Sequence, residues 1–541
     1  MNAATTGDPT TAQVVAAYLS AAGIDEVFAY PGDPIIEFMD AARANGTQVV
    51  LARREGTAAF MAEAAGMVTG RPGACLSTLG PGSTALVNGV AAAYLDRVPM
   101  LAISGQIETS REQFFTHQVV DHKLLFSPVT KWAGRIEASA VGTTMRKAIR
   151  LACASRPGSV HLTCAGDVFK QRATDSDVRI PPLRPSAAAP SIFGGSADEV
   201  LSHLRSSRSP VVLAGIGAVR SEAGDELRTL AETGGLPVVV SPMAKGVMPE
   251  DHPLFAGVLD MACNDVLWDL LAGADTVVAV GFDAVELIKP WTVKTPVVHI
   301  DDVENSDQIY FAGHELVGDV RGLLRWLAES WPGESRWSER DVTRHRTRLR
   351  DAYYAGRERG RLNPTDVVDV VREVAPRDTR VTCDVGSHKL LVGQGWTTHE
   401  PRGVLMTNGL SSMGFGVPAA VSSQIVEPDR PAIALVGDGG FAMTATELRL
   451  AAARGQNLAV VVFADGSLNR IELKQMAQSL PSTATRIEGM DLVGLAAAMD
   501  CDGIRVSTAS ELEKAMDGVG HLSRPLVVQA DIDPSQYESQ F

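Results

Sequence analysis

The feature that most constrains this chain is the character of its strands. Short β-rich runs recur from one end to the other, and most are continuously apolar instead of alternating; the runs at 210–214, 276–280, 432–436 and 458–463 are examples. A strand that is apolar on both sides must be buried on both faces. That condition is met in parallel sheets covered by helices. Helical patterns lie between the runs. The first part reads as helix 10–22, strand 26–30, helix 34–43, strand 48–52, helix 55–69, and strands 73–77 and 99–104. Further strands are predicted at 237–240, 296–300, 380–384 and 526–530. The fold class expected is α/β, with three doubly wound parallel-sheet domains.

Two seams divide the chain. Residues 172–196 carry Pro181, Pro182, Pro185 and Pro190 with alanines between them, a composition that stops helix and ladder alike and reads as a linker. Residues 331–364 hold nine arginines between Arg336 and Arg361 at helix-compatible spacing, read as a solvated linker helix. The domains expected are therefore 8–180, 191–335 and 362–535.

Composition narrows the function. An apolar fraction of 45% over 541 residues suits several packed cores. The net charge of −15, with no basic stripe, argues against a nucleic-acid partner. The cysteines at 75, 153, 164, 263, 383 and 501 are scattered, which fits reduced thiols better than disulfides or zinc. No lysine or arginine precedes Arg43, so no signal or transit peptide is expected, and no apolar run has membrane-span length. The protein is expected to be soluble and cytoplasmic, with no membrane partner.

In doubly wound sheets, ligands sit beyond the carboxyl ends of strands. There the chain places Gly437-Asp438-Gly439-Gly440 after the strand at 432–436, with a helix expected over 444–454. Glycines let backbone approach a phosphate closely, and Asp438 offers the hard oxygen that Mg²⁺ takes. The next strand ends in Ala464-Asp465-Gly466-Ser467. Two neighbouring strands thus each deliver an aspartate at the same end of a sheet.

This pairing resembles the motif of thiamine-diphosphate enzymes, although the Asn that usually precedes the second ligand is Ala464 here. The resemblance implies thiamine diphosphate and Mg²⁺ as cofactors, with the metal held by Asp438, Asp465 and the carbonyl of Ser467. It extends over nearly the whole chain. Glu55, in Arg53-Arg54-Glu55-Gly56-Thr57-Ala58-Ala59, matches the family's catalytic glutamate, which hydrogen-bonds the cofactor's pyrimidine ring. Thr78-Leu79-Gly80-Pro81-Gly82 is similar to the glycine turn near that ring, but Ala85 stands where an Asn is common. Asp384-Val385-Gly386-Ser387-His388 resembles the segment meeting the diphosphate. Asn408-Gly409-Leu410-Ser411-Ser412-Met413-Gly414-Phe415-Gly416 resembles the loop that bends the cofactor, with Met413 as the wedge and Ser411 replacing a glycine. The cofactor-binding residues implied are Gly32, Thr78, Gly80, Gly386, Ser387, His388, Ser411, Met413, Gly437, Asp438, Gly439, Gly440, Asp465, Ser467 and Leu468.

Within the family, Thr116-His117-Gln118-Val119-Val120-Asp121 and Phe126-Ser127-Pro128-Val129-Thr130-Lys131 look like acetolactate synthase of the catabolic type. Gln118 and His117 are the implied first-domain residues facing the reaction, beside Glu55. Lys474 and Gln475 fall where the acceptor pocket is shaped. The implied activity is decarboxylation of a 2-oxo acid, pyruvate foremost, and carboligation to a second one, giving 2-acetolactate or a related acyloin. Glu55 and the metal loop lie in different domains, and in the family they meet across a subunit interface. A homodimer or homotetramer is therefore implied. The middle domain's Gly215-Ile216-Gly217 is a weak dinucleotide signal; some members bind FAD there, and no required flavin is expected in this chain. Another thiamine-diphosphate decarboxylase or carboligase is the near alternative. A non-catalytic partner subunit keeping the fold is the alternative of another class.

Overall fold

The computed structural model describes residues 8–182, 195–331, 333 and 335–540. They fall into two compact units. The first comprises the chain up to 186 with 409–412 and 421–427, and the second comprises the remainder.

The first unit is built on β1 (Glu26–Ala29), β2 (Gln48–Leu51), β3 (Gly73–Ser77), β4 (Met100–Gln106), β5 (Trp132–Arg135) and β6 (Ser159–Ala165). They form one parallel sheet in the order β2-β1-β3-β4-β6-β5. Every residue of β3, β4 and β6 is buried, as strands sandwiched between helices must be. The covering helices start where the sequence lets them. Thr10 closes a capping box with Gln13 ahead of Thr11–Ala21, and Pro81 opens Pro81–Leu95, where its missing N–H costs nothing.

The second unit carries two sheets. One contains β7 (Pro210–Ala214), β8 (Val238–Val240), β9 (Phe255–Val258), β10 (Thr276–Val280), β11 (Val297–Asp301) and β12 (Ala312–Val317), in the order β12-β11-β10-β7-β8-β9. The other contains β13 (Arg380–Cys383), β14 (Val404–Met406), β15 (Ala432–Gly437), β16 (Leu458–Ala464), β17 (Asp502–Val506) and β18 (Leu526–Asp531), in the order β14-β13-β15-β16-β18-β17. Three parallel six-stranded sheets, each flanked by helices, are the architecture the apolar strands predict.

Counted within itself, the sheet of the first unit has the same strand order as the β13–β18 sheet. Each therefore reverses direction between its first and third strands, β1/β3 and β13/β15. The middle sheet reverses between β7 and β10. These crevices are where an α/β sheet takes ligands.

The arginine-rich stretch forms the helix Glu339–Tyr353, as its spacing suggests, and it buries Val342, His345, Leu349 and Tyr353. The predicted linker at 172–196 lies partly outside the described residues, at 183–194. The helix expected over 444–454 is present as a 3-10 turn Ala445–Glu447 followed by the helix Leu448–Ala453, but a further helix, Asp438–Thr444, precedes it directly after Gly437. An aspartate in the first turn suits the positive helix end, and this outweighs the low helix propensity of Gly439 and Gly440. His388 lies in the first turn of the helix Ser387–Gly395. No helix among the described residues is long and apolar enough to cross a membrane.

Candidate functional site

At the β13/β15 crevice the second unit assembles most of the residues singled out from the sequence. Asp384 directly follows β13 and is fully buried, and its carboxylate accepts the N–H groups of Val385 at 2.7 Å and Gly414 at 2.9 Å. Burial pushes its carboxyl up to about 6. Asp384 thereby pins the backbone just after Met413. The Met413 methyl lies over Gly439, where an added Cβ would come 3.3 Å from it. Gly440 is equally confined, since its Cβ would meet Asp384 Oδ2 at 2.7 Å.

His388 is buried and stacks on Phe463 with ring centroids 5.2 Å apart. Gly386 and Gly437 close on its ring, and a Cβ on either would meet it at 2.8 and 3.2 Å. Burial lowers the His388 pKa to about 3, so the ring is neutral, and its Nε2 has no hydrogen-bond partner. Ser387 donates its hydroxyl to Asn469 Oδ1 at 2.8 Å.

Beside them, Asp438 accepts Gly439 N–H and Gly466 N–H, both at 2.8 Å. Asp465 accepts Ser467 N–H at 3.0 Å. Burial, and then the neighbouring Asp438 carboxylate, push the Asp465 carboxyl up to about 7. Burial also raises Asp438. Two neighbouring half-buried carboxylates, both raised by burial, suit a cation, and their hard oxygens fit Mg²⁺. The segment 485–487 braces this loop. Leu468 N–H donates to Thr485 O at 2.7 Å, Ile487 N–H donates to Gly466 O at 2.9 Å, and Arg486 pairs with Glu472. A pocket bordered by Asp438, Ala464, Gly466, Ile487 and Met490 opens here. An orphaned buried imidazole nitrogen, glycines that leave no room for Cβ, and paired carboxylates fit a diphosphate carrying a divalent cation.

Lys474 and Gln475 lie on the helix Asn469–Ala477. Lys474 is exposed, whereas Gln475 spends its amide on the backbone of Thr483, donating at 3.1 Å and accepting at 2.9 Å. Sequence reasoning missed Asp384 as a positioning group, and it missed the bracing by Thr485, Arg486 and Ile487. Asp384 carries a legible signal, a carboxylate ending an apolar strand. The bracing segment has none.

The β1/β3 crevice of the first unit holds the other group. Glu55 opens the helix Glu55–Thr69, where the helix dipole favours a carboxylate. Gly82 lies against it, and a Cβ there would sit 3.1 Å from Glu55 Oε1 and 2.8 Å from Thr78 Cγ2. Gly32 has no room for a Cβ beside Thr78. Gly80, with φ of 40°, would meet Gln118 O at 2.5 Å. Gln118 itself is strained into φ of 58° to pack there, and its side chain and that of His117 are exposed. Thus Gly32, Glu55, Thr78, Gly80, Gly82 and Gln118 converge. Ser411 belongs to this unit and holds φ of 51°, a conformation natural to the glycine it replaces. Where Ala85 lacks an amide, Asn88, three residues on, donates to Ser412 Oγ at 2.8 Å.

The middle sheet's crevice is filled from within. The buried Glu286 carboxylate accepts Ile216 N–H at 2.9 Å and Asp283 N–H at 2.9 Å, and it takes the Ser241 hydroxyl. Gly215 has no space beyond Glu286 and Gly281. At Gly215-Ile216-Gly217 the Ile216 N–H is thus already bonded to a side chain, and an added Cβ at Gly217 would lie 2.8 Å from Asp301 Oδ1.

Parallel sheets with anion-suited crevices and a carboxylate pair define a cofactor-binding α/β protein of the diphosphate-holding kind. Comparison with known families makes this specific. Residues 9–125 match the thiamine pyrophosphate enzyme N-terminal TPP binding domain. Residues 197–327 match the central domain, and 384–530 match the C-terminal TPP binding domain. The chain belongs to the thiamine pyrophosphate enzymes. It is similar to an acetolactate synthase of Bacillus subtilis, 27% identical over 97% of this chain and 93% of the relative. It is also similar to a catabolic acetolactate synthase of Raoultella terrigena, 28% identical over 96% and 95%. An acetolactate synthase isozyme 3 large subunit of Escherichia coli is 28% identical over 97% and 95%.

Proposed function

We propose that this chain is a cytoplasmic, homo-oligomeric carboligase dependent on thiamine diphosphate and Mg²⁺. It decarboxylates a 2-oxo acid, pyruvate first, and joins the remainder to a second 2-oxo acid, giving 2-acetolactate. The observation that carries this reading is the paired Asp438 and Asp465 carboxylates beside the orphaned His388 nitrogen, within a chain that also presents Glu55.

Thiamine diphosphate supplies the carbanion chemistry when bound. The protein's residues supply placement. Asp438, Asp465 and the Ser467 carbonyl hold the metal, and Gly437, Gly439, Gly440, Gly386, Ser387 and His388 hold the diphosphate. Leu468 and Met413 present apolar surface to it. Glu55, at a helix start lined by Gly82, would hold a proton at its carboxylate toward the pyrimidine ring. Thr78, Gly80, Gly32 and the Ser411 carbonyl seat that ring. Gln118 and His117 face the donor acid, and Lys474 and Gln475 border the acceptor region. Glu55 and the metal loop belong to separate units, so we propose that a second copy of the chain completes each site. The Glu286 plug supports function without a flavin in the middle domain.

The test is product analysis with purified protein, pyruvate, thiamine diphosphate and Mg²⁺. Acetolactate, converted to acetoin only on acid treatment, is the expected product. Acetaldehyde, or cofactor binding without turnover of pyruvate, overturns the pyruvate carboligase reading in favour of another thiamine-diphosphate activity. A monomer by light scattering with full activity overturns the shared site.

A further inference from the structure

The turn Thr78–Gly82 rests on two buried hydrogen-bond relays that each end in a histidine. In the first, Ser83 Oγ donates to Gly80 O at 2.9 Å and lies 2.9 Å from His122 Nε2. His122 Nδ1 lies 3.3 Å from Thr163 Oγ1. In the second, Ser77 Oγ donates to Thr78 O at 3.1 Å and lies 3.0 Å from Ser104 Oγ. Ser104 Oγ lies 2.9 Å from His161 Nε2. Ser77, Ser83, Ser104, His122 and His161 are all buried.

Proton counting fixes the direction of both relays. A serine hydroxyl has one proton to give. Ser83 spends its proton on Gly80 O, so it must accept from His122, which is then the Nε2–H tautomer taking the Thr163 proton at Nδ1. Ser77 spends its proton on Thr78 O, so Ser104 donates to Ser77 and must accept from His161 Nε2–H. His161 Nδ1 is then a bare lone pair, and it is indeed buried without a partner. The two rings pack edge to face at 5.8 Å, and Phe126 stacks on His161 at 3.6 Å. A charged imidazolium has no place there. Burial lowers the His122 pKa to about 4 despite Asp121 and Glu112 facing it, and burial, aided by His122, holds His161 well below the usual imidazole range.

We propose that His122 and His161 are positioning residues for the Thr78–Gly82 turn, each acting as a fixed, neutral Nε2–H donor at the base of a serine relay. That the turn seats the pyrimidine ring rests on the function proposed above; the relays do not.

The experiment uses the full-length chain. Histidine ¹⁵N spectra of the cofactor-free protein, assigned by loss of signal in His122→Gln and His161→Gln, are expected to show two Nε2–H tautomers with no titration between about pH 5.5 and 8. His161→Phe keeps the stack on Phe126 but removes the donor. It is expected to speed hydrogen exchange at the Gly82 amide and to weaken thiamine diphosphate binding, each by roughly fivefold to tenfold. His161→Gln, which returns an N–H near the Nε2 position, is expected to recover both. An Nδ1–H tautomer, titration within that range, or His161→Phe exchange equal to wild type overturns the relay proposal. Wild-type protein that shows both tautomers and slow Gly82 exchange but binds no thiamine diphosphate overturns the proposed function and leaves the relays standing.

Discussion

Replacing Lys245 with methionine probes the join between the middle sheet and the β13–β18 sheet inside the second unit. Lys245 is buried, and its Nζ donates to Glu250 Oε1 at 2.7 Å, Oε2 at 3.0 Å and Gly393 O at 2.9 Å. Glu250 also accepts Thr398 N–H at 3.1 Å. Its carboxyl is already raised by burial, with Lys245 and then Arg372 pulling it back. Lys245→Met leaves a buried carboxylate with one N–H donor, and breaking such a pair costs about 3–5 kcal/mol. Protonation caps the loss. Neutralising Glu250 costs about 1.4 kcal/mol per pH unit above about 4.3, a ceiling of roughly 4 kcal/mol at pH 7 and under about 2 kcal/mol at pH 5.5. The sign follows from linkage. The variant's folded carboxyl is raised further above its unfolded value, so its stability is intact below about pH 4.3 and falls as pH rises. Urea unfolding of wild type and variant at pH 5.5 and 8 is the assay. Taking the difference between the proteins cancels the other titrations. The deficit is expected to be at least twice as large at pH 8. Lys245→Met/Glu250→Gln, which keeps the acceptor for Thr398, is expected to return to within about 1–2 kcal/mol of wild type. A pH-independent deficit, or none, refutes the reasoning.

Changes at three further carboxylates have expected outcomes. Asp465→Asn weakens Mg²⁺-dependent thiamine diphosphate binding at least about tenfold by titration calorimetry, because it removes a charged ligand. In the cofactor-free protein, the same change leaves stability equal or higher, since one of two repelling carboxylates is gone. Glu55→Gln lowers turnover by about 10²-fold or more while thiamine diphosphate still binds, read from kcat beside a binding isotherm. The purified chain carries no flavin absorbance, and Glu286→Ala destabilises it by about 3 kcal/mol in urea, because three donors lose their acceptor.

Much of the fold was legible because double burial leaves an uninterrupted apolar run. Some of the strands that escaped notice broke that rule for identifiable reasons. β17 and β12 lie at sheet edges, where β17 exposes Asp502 and Arg505 and β12 carries half-buried His314 and Glu315. β6 is fully buried, yet it carries Ser159, His161 and Thr163, whose hydrogen bonds cannot be seen in a sequence. The same blindness hid the relay beneath the glycine turn. Asp438 and Asp465 were legible because strand ends are marked by a change from apolar to glycine-rich sequence. Asp384 was passed over, since only the folded chain shows that its oxygens face Gly414. The role of Lys245 and Glu250 was not legible, because it depends on Gly393 and Thr398, more than 140 residues away.

The three crevices show how one topology gives different outcomes. Each sheet opens a cleft where its strand order reverses, so backbone geometry alone makes three candidate sites. Side chains decide which of them can take a ligand. At β7/β10, Glu286 turns inward and satisfies the N–H groups of Ile216 and Asp283, while Asp301 Oδ2 and the Arg220 guanidinium nitrogens Nη1 and Nη2 are buried without a hydrogen-bond partner. At β13/β15 the converse holds. His388 Nε2 is left without a partner, and the Asp465 carboxyl is pushed up by burial and by Asp438, so the protein alone does not balance the site. At β1/β3, glycines at 32, 80 and 82 bring the Thr78 turn, Gln118 and Glu55 into contact, beneath a polar network that is satisfied except at one buried histidine nitrogen. Unpartnered buried polar atoms occur near all three clefts, so the count of them does not choose among the clefts. What sets β13/β15 apart is that a pair of neighbouring strand-end carboxylates lies there beside an unpartnered neutral imidazole, a donor set suited to a diphosphate carrying a cation.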